Sequence, residues 1–286
     1  MTTGDPDRDR DADRARTGDR LLADLRRHFA DHAWTPVTVG CSGAAVYRLE
    51  RRGESTYLKI AAYGERPDPG SDLAAEATRA TWLAGQGIGV PQVLDQWHGP
   101  DGGWLLTPAV PGRSAAEPWP VGQLPAVVDA LADVARSLHA LPAADCPFDR
   151  TLAVTLSDAR HAAEHRLLDL ADLDEQRAGW TADRLLAELN ATVPADEDVV
   201  VCHGDLCLPN VLLDPRTLQV TGLVDLGRVG RADRNADLAL LARSLAAPIN
   251  GQYDPVLVGR LLARYDPPGG VDGSRIAFYQ LLDEFG

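Results

Sequence analysis

The chain is short of cysteine, of long apolar runs and of positive charge, and each shortage excludes something. Its 286 residues include four cysteines, Cys41, Cys146, Cys202 and Cys207, scattered along the length. Disulfide-stapled secreted domains are far denser in cysteine, so a reduced cytoplasmic setting is expected. Cys202 and Cys207 lie close in sequence, but no second pair has the spacing that would complete a zinc site. No apolar run is long enough to span a bilayer. The opening MTTGDPDRDRDADRARTGDR has no apolar segment of the kind a secretory signal needs. Its mixed Asp/Arg run cannot bury surface, so residues 1–20 are expected to form a disordered or loosely helical charged tail. Acidic residues outnumber basic ones by 42 to 28, a formal net charge of −14. Proteins that grip nucleic acid or anionic membranes present a basic face, so neither partner is expected and a cationic one is favoured. A monomer or weak dimer is expected.

What is present suffices for two modest lobes with sizeable cores. Leu21, Leu22, Leu25 and Phe29 have helical spacing. Strands are expected from Trp34 to Val39, Val46 to Leu49 and Tyr57 to Ala61, the last two paired across Arg51-Arg52-Gly53-Glu54. A helix over Leu73 to Leu83 follows, then short strands at Val93–Leu94 and Trp104–Thr107. This makes residues 21–107 a small β-rich lobe with one inserted helix. Residues 108–120, rich in Pro, Gly and Ala, read as a linker. Residues 121–286 read as a larger helical lobe. Its helices are expected at Leu124–Leu141, Thr155–Leu168, Ala182–Leu189, Ala236–Leu245, Pro255–Tyr265 and Arg275–Glu284. A hairpin of Val211–Leu213 and Val220–Val224 turns at Asp214-Pro215-Arg216-Thr217. There are no internal repeats.

The chemistry concentrates in Val201 to Asn210 and Gly222 to Arg228. Asp205 and Asn210 share a short loop after an apolar run, and Asp225 follows another. Phosphoryl transfer from a nucleotide needs such a set: a carboxylate to orient a hydroxyl, then an amide and a second carboxylate to hold Mg²⁺. It also needs a strand lysine paired with a helix glutamate near the phosphates. Lys59, in Tyr57-Leu58-Lys59-Ile60, and Glu76 on the expected helix have that order and spacing. Taken singly, each of these residues reads as a solvated charge or a turn former. The full ordered set reads as a kinase site. Cys41 to Ala45, with Ser42 and Gly43, is placed where a phosphate-covering turn belongs. On its own that segment is equally a strand turn. His203 is expected to brace the loop by hydrogen bonds, because Asp205 fills the base position. Asp169, Asp172, Asp174 and Glu175 form an acidic run able to meet a polycation, or equally a solvated helix edge.

These residues resemble the aminoglycoside phosphotransferases, and most closely the aminoglycoside 3′-phosphotransferases. His203-Gly204-Asp205 through Cys207-Leu208-Pro209-Asn210 carries the likeness. Gly222 to Arg234, Cys146-Pro147-Phe148-Asp149, Asp172 to Glu175 and the ending Phe278 to Phe285 extend it. The resemblance runs from about residue 30 to the end. It implies an α+β, protein-kinase-like fold of two lobes, with ATP and Mg²⁺ as cofactors and a small cationic aminoglycoside as substrate. By position it implies that Lys59, paired with Glu76, contacts the phosphates, that Asp205 is the base and that Asn210 and Asp225 bind metal. Adenine is expected at the backbone of Thr107 and Ala109. The drug's ammonium groups are expected at Asp172, Asp174, Glu175, Asp283, Glu284 and the carboxylate of Gly286, with Arg228 and Arg243 organising that site. Three departures from the family pattern stand out. The chain ends in Gly286 where close relatives end in an aromatic residue, Pro108 replaces an acidic connector residue, and the hairpin before Asp225 is slightly long.

The expected reaction is phosphorylation of a 3′-hydroxyl, with antibiotic resistance as its consequence. Transfer to another hydroxyl, such as the 3″-hydroxyl of streptomycin, is the near alternative. A catalytically silent binder of cationic drug is the alternative from another class. Intact Lys59, Asp205, Asn210 and Asp225 argue against the silent binder. The kinase readings require Lys59 to lie beside Asp225.

Overall fold

Alternation along one strand organises the first unit. In β3 (Glu54–Ala62), Leu58 and Ile60 are buried on one face while Lys59 and Ala61 take the other. The computed structural model describes residues 18–37, 44–62, 72–99, 102–266 and 270–286. Strands β1 (Ala33–Val37), β2 (Ala45–Arg51), β3, β4 (Asp95–Gly99) and β5 (Gly102–Pro108) form an antiparallel sheet in the order β1-β2-β3-β5-β4. Helix α1, seen over residues 18–28, covers one face. There Leu25 and Phe29 pack with Leu49, Leu58 and Ile60. Helix α2 (Leu73–Gly85) covers the other, where Leu73 and Ala77 meet Ala61 and Leu105. Asp72 caps α2 by accepting the Ala75 N–H at 3.0 Å. Register pairs Lys59 with Val46 on one side and Leu105 on the other, so Lys59 rises from the middle of the sheet on the α2 face.

The second unit is mostly helical. Helix α3 (Leu124–His139) buries Val127, Val128, Leu131, Ala132, Ala135 and Leu138, an apolar stripe at helical spacing. A second core joins α4 (Leu152–Glu164), α5 (Ala182–Ala191) and α8 (Gly273–Leu282) through Leu156, Leu185, Leu189 and Phe278. Helices α6 (Arg234–Ala246) and α7 (Val256–Tyr265) complete the set. Strand β7 (Val199–Cys202) pairs antiparallel with β10 (Gly230–Asp233), and β6 (Arg113–Ser114), β8 (Val211–Leu213) and β9 (Val220–Leu223) form a small sheet.

Several expectations need correction. The strand expected at Val93–Leu94 is β4, at Asp95–Gly99. Val93 instead packs on the α2 cluster, and the strand itself is an exposed polar edge with no apolar alternation to betray it. Helix α4 starts at Leu152 rather than Thr155, because Glu197 Oε1 accepts the Leu152 N–H at 2.9 Å. It stops before Arg166, whose φ of 55° is left-handed. Strands β6 and β10 were not anticipated. The first unit runs to Pro111 and also takes in Gly222–Gly227, a segment expected with the helical lobe. Leu223 N–H donates to Gly89 O at 2.8 Å, which ties the segment there. The charged tail falls, for residues 1–17, outside the described residues, and residues 18–20 are helical.

Leu58 is fully buried beneath α1. Leu58→Ala is therefore expected to destabilise the protein by about 2–5 kcal/mol, read as a lowered urea midpoint. An unchanged midpoint would mean this face is not a packed core.

Candidate active site

In the first unit, one ammonium group lies between two carboxylates. Lys59 Nζ donates to Glu76 Oε2 at 2.9 Å and to Asp225 Oδ1 at 2.8 Å. Lys59 and Glu76 are nearly buried, with side chains 12% and 8% exposed, while Asp225 is more open at 30%. The other Glu76 oxygen accepts the Leu226 N–H at 3.3 Å, so Glu76 fixes both the lysine and the backbone beside Asp225. Burial pulls the Lys59 pKa down, but Glu76 and Asp225 outweigh it and hold it above the ordinary lysine value. Asp225 has a left-handed backbone, φ 62°, a conformation that aspartate tolerates better than most residues. Its Oδ1 serves Lys59, which leaves Oδ2 as a hard oxygen donor.

In the second unit, the loop after β7 carries Asp205 and Asn210 together. Asn210 Nδ2 donates to Asp205 Oδ2 at 3.0 Å and to Asp205 O at 2.9 Å. This commits the amide nitrogen and leaves the amide oxygen, the atom a Mg²⁺ ion would select. Gly204 has φ 81°, and a Cβ there would lie 2.3 Å from Arg228 O, so only glycine fits. Buried Asp237, on α6, accepts the N–H groups of His203 at 2.8 Å and Gly204 at 2.9 Å. His203 braces the loop: it is fully buried, and its Nδ1 accepts the Asp205 N–H at 3.3 Å.

Near the C-terminus, carboxylates and arginines interleave. Arg243 binds Glu284 Oε1 at 2.7 Å and is also paired with Asp283. Arg228 Nη1 is 3.8 Å from Asp283 Oδ1, and Gly286 lies against the same guanidinium. Arg177 is paired with Asp174 and reaches Glu284 at 3.8 Å. Burial pushes the Asp283 carboxyl above its usual range; Arg243 and Arg228 oppose this and nearby Asp205 adds to it. Burial raises Glu284 likewise, with Arg243 opposing. Asp172 and Glu175 are exposed, and their carboxylates have no ion-pair partner among the described residues.

A model of a family described as the phosphotransferase enzyme family matches residues 33–275. An aminoglycoside 3′-phosphotransferase of Streptomyces ribosidificus is 51% identical, over 91% of this chain and 98% of that protein. The chain belongs to the aminoglycoside phosphotransferase family. A crystal structure of aminoglycoside-3′-phosphotransferase of type VIII is similar at a TM-score of 0.87 and 50% identity, covering 94% of this chain and 99% of that one. APH(3″)-Id of Streptomyces rimosus, solved in complex with ADP and streptomycin, is similar at 0.77 and 37% identity, covering 93% and 97%. The expected two-lobed, kinase-like α+β fold is thus the observed one.

Within this phosphotransferase, other expected site residues fare unevenly. Ser42 and Gly43 lie outside the described residues. Thr107 lies on β5 opposite Tyr57. At Ala109, whose backbone is expected to meet adenine, the N–H donates to Ser55 O at 3.0 Å, because the β3–β5 ladder runs one step past Pro108. The acidic run splits, with Asp174 held by Arg177 while Asp172 and Glu175 face solvent. Sequence reasoning passed over Asp237 and Arg177. The signal for Asp237 was a charge among buried positions of α6, and that for Arg177 was a cation three residues from Asp174. It also passed over a count: Lys59 is the chain's single lysine, every other member of its 28 Lys and Arg residues being arginine.

A compact ammonium and a wide planar guanidinium do not fit the same two-carboxylate seat. Lys59→Arg is therefore expected to lower kcat/KM at least tenfold, about 1.4 kcal/mol of transition-state stabilisation, in steady-state kinetics. Activity within twofold of the parent would show that any cation there suffices.

Proposed function

We propose that this phosphotransferase moves the γ-phosphoryl group of ATP to the 3′-hydroxyl of a kanamycin- or neomycin-type aminoglycoside, giving resistance to the drug. The observation that carries the nucleotide half is Lys59 Nζ held within 3 Å of both Glu76 and Asp225. The 3′ assignment is supported by the relative of Streptomyces ribosidificus, which matches over nearly its whole length.

Lys59 orients the nucleotide phosphates and offsets their charge. Asp205 accepts a hydrogen bond from the acceptor hydroxyl and orients its oxygen. A carboxylate is a far weaker base than an alkoxide, so the proton arrives late, as the bond to phosphorus forms. Asn210 and Asp225 are the proposed Mg²⁺ ligands, and the ion when bound neutralises phosphate oxygens. Asp172, Asp174, Glu175, Asp283, Glu284 and the Gly286 carboxylate meet the drug's ammonium groups. Each well-made charge-assisted hydrogen bond contributes about 1.5–3 kcal/mol. Arg228 and Arg243 keep Asp283 and Glu284 aimed before substrate arrives. The enzyme is read as cytoplasmic, a monomer or weak dimer, with no nucleic-acid or membrane partner. No helix among the described residues is long and apolar enough to cross a membrane.

A drug panel with ATP, read by NMR of the product, tests the proposal. Kanamycin or neomycin phosphorylated at the 3′-hydroxyl is expected, and Asp205→Ala should abolish turnover while keeping ATP binding. Phosphate only on the 3″-hydroxyl of streptomycin would move the protein to the alternative assignment. Drug binding without ATP turnover would make it a silent binder.

Acid should weaken drug binding before it unfolds the protein. Burial raises Asp283 and Glu284, so both take up protons at a pH above the ordinary carboxylate value of about 4 and lose their hold on ammonium groups. The same shift means these two groups favour the fold below the unfolded value and oppose it as pH rises through the folded one. Calorimetric titration at falling pH is expected to show drug affinity dropping from above pH 4, with Asp283→Asn flattening the profile. A pH-independent affinity would remove both carboxylates from the drug site.

A further inference from the structure

The end of α4 presents two imidazoles side by side. His161 and His165 stand four residues apart, so helical geometry sets them on one face in consecutive turns. Their ring centroids are 3.9 Å apart, with the planes tilted by 35°. His161 is half-buried and His165 exposed. His165 Nδ1 is 2.9 Å from His161 O. A carbonyl only accepts, so Nδ1 carries the proton and the neutral ring keeps its lone pair on Nε2. Metal-ligating histidines are held in this way, with one ring N–H tied to an acceptor and the other nitrogen left for the ion. No hydrogen bond among the described residues takes up the ring nitrogens of His161.

The same turn closes the helix against a conformational cost. Leu167 N–H donates to Ala162 O at 2.9 Å and Arg166 N–H donates to Ala163 O at 3.3 Å, the crossed bonds of a Schellman closure. The residue at the crossing takes a left-handed backbone and is usually glycine. Here it is Arg166, at φ 55°, whose Cβ disfavours that conformation. A tie between the last two turns would offset this cost. The unpaired carbonyls of a helix C-terminus also carry partial negative charge, which favours a cation.

We propose that His161 and His165 form a binding site for a divalent transition-metal ion of the Cu²⁺, Ni²⁺ or Zn²⁺ class, for which imidazole is a preferred ligand. The ion would clip the last turns of α4 together at the point from which the chain runs on into Asp169 to Glu175. Mg²⁺, which selects hard oxygen donors, is not its occupant, so the site stands apart from phosphoryl transfer. A second set in this unit, His139, Cys202 and Asp237, has its ligand atoms within 4.8 Å of one another. It is buried and already matched: His139 bonds Asp237 at 3.1 Å, and Cys202 donates to Asp233 O at 3.4 Å. The pair on α4 has its metal-binding nitrogens open and its rings already in contact.

Copper titration of the untagged full-length chain, stripped of metal beforehand, tests this with His161→Asn, His165→Asn and Cys202→Ala beside the parent. The parent is expected to take up one Cu²⁺ whose electron paramagnetic resonance spectrum shows two nitrogen ligands. Each histidine variant should bind copper at least tenfold more weakly, and Cys202→Ala should bind it as the parent does. Ni²⁺ should raise the melting temperature of the parent and leave that of both histidine variants unmoved. If His161→Asn does not fold, His165→Asn decides, since that ring is exposed. Equal copper affinity in the parent and the histidine variants would overturn the proposal. A loss confined to Cys202→Ala would also overturn it, by placing the ion in the buried set.

Discussion

The contact of Lys59 with Glu76 and Asp225 is the constraint on which the first unit's chemistry depends. Three charges share a nearly buried seat, and none is tolerable there alone. A buried pair broken by removing one partner leaves an uncompensated charge, a loss of about 3–5 kcal/mol. The sheet therefore has to hold Lys59 at its centre, α2 has to present Glu76 over it, and the chain has to return at Gly222–Gly227 to supply Asp225. The left-handed backbone at Asp225 and the Leu226 N–H on Glu76 are consequences of that return. A single lysine in an arginine-rich chain fits the same logic, since the seat accepts a point charge and excludes a planar fork.

The second unit solves a related problem with arginine. Asp174, Asp283 and Glu284 are drawn together by Arg177, Arg228 and Arg243, which lets three carboxylates crowd without repelling one another apart. Carboxylates held this way are already ordered when a cation arrives, so less conformational freedom is lost on binding. Asp172, Glu175 and the chain end remain exposed. On the proposed reading, attraction at a distance comes from these exposed groups and orientation from the paired ones.

How much of this was legible depended on whether a residue's partner is local. Lys59, Glu76, Asp205, Asn210 and Asp225 were readable because nucleotide chemistry demands those groups in that order. Helix α3 was readable because its apolar positions recur at helical spacing. Strand β4 was not, since an exposed edge needs no alternation. The membership of Gly222–Gly227 in the first unit was not, because it rests on contacts with Gly89 and Glu76 far back in the chain. The occupied N–H of Ala109 depends on how far a ladder extends past Pro108. The hydrogen-bonded line from Asp198 through Arg234, Tyr265 and His139 to Asp237 joins residues from four segments, and only the fold brings them together.

The most direct test of the account is NMR of the ε-amino nitrogen of lysine. The chain has one lysine, so a ¹⁵N-lysine sample gives one Nζ signal, from Lys59. The account predicts that this nitrogen titrates above the ordinary lysine value of about 10.4 and shifts on addition of ATP with Mg²⁺. Titration at or below the ordinary value, with no response to nucleotide, would contradict it.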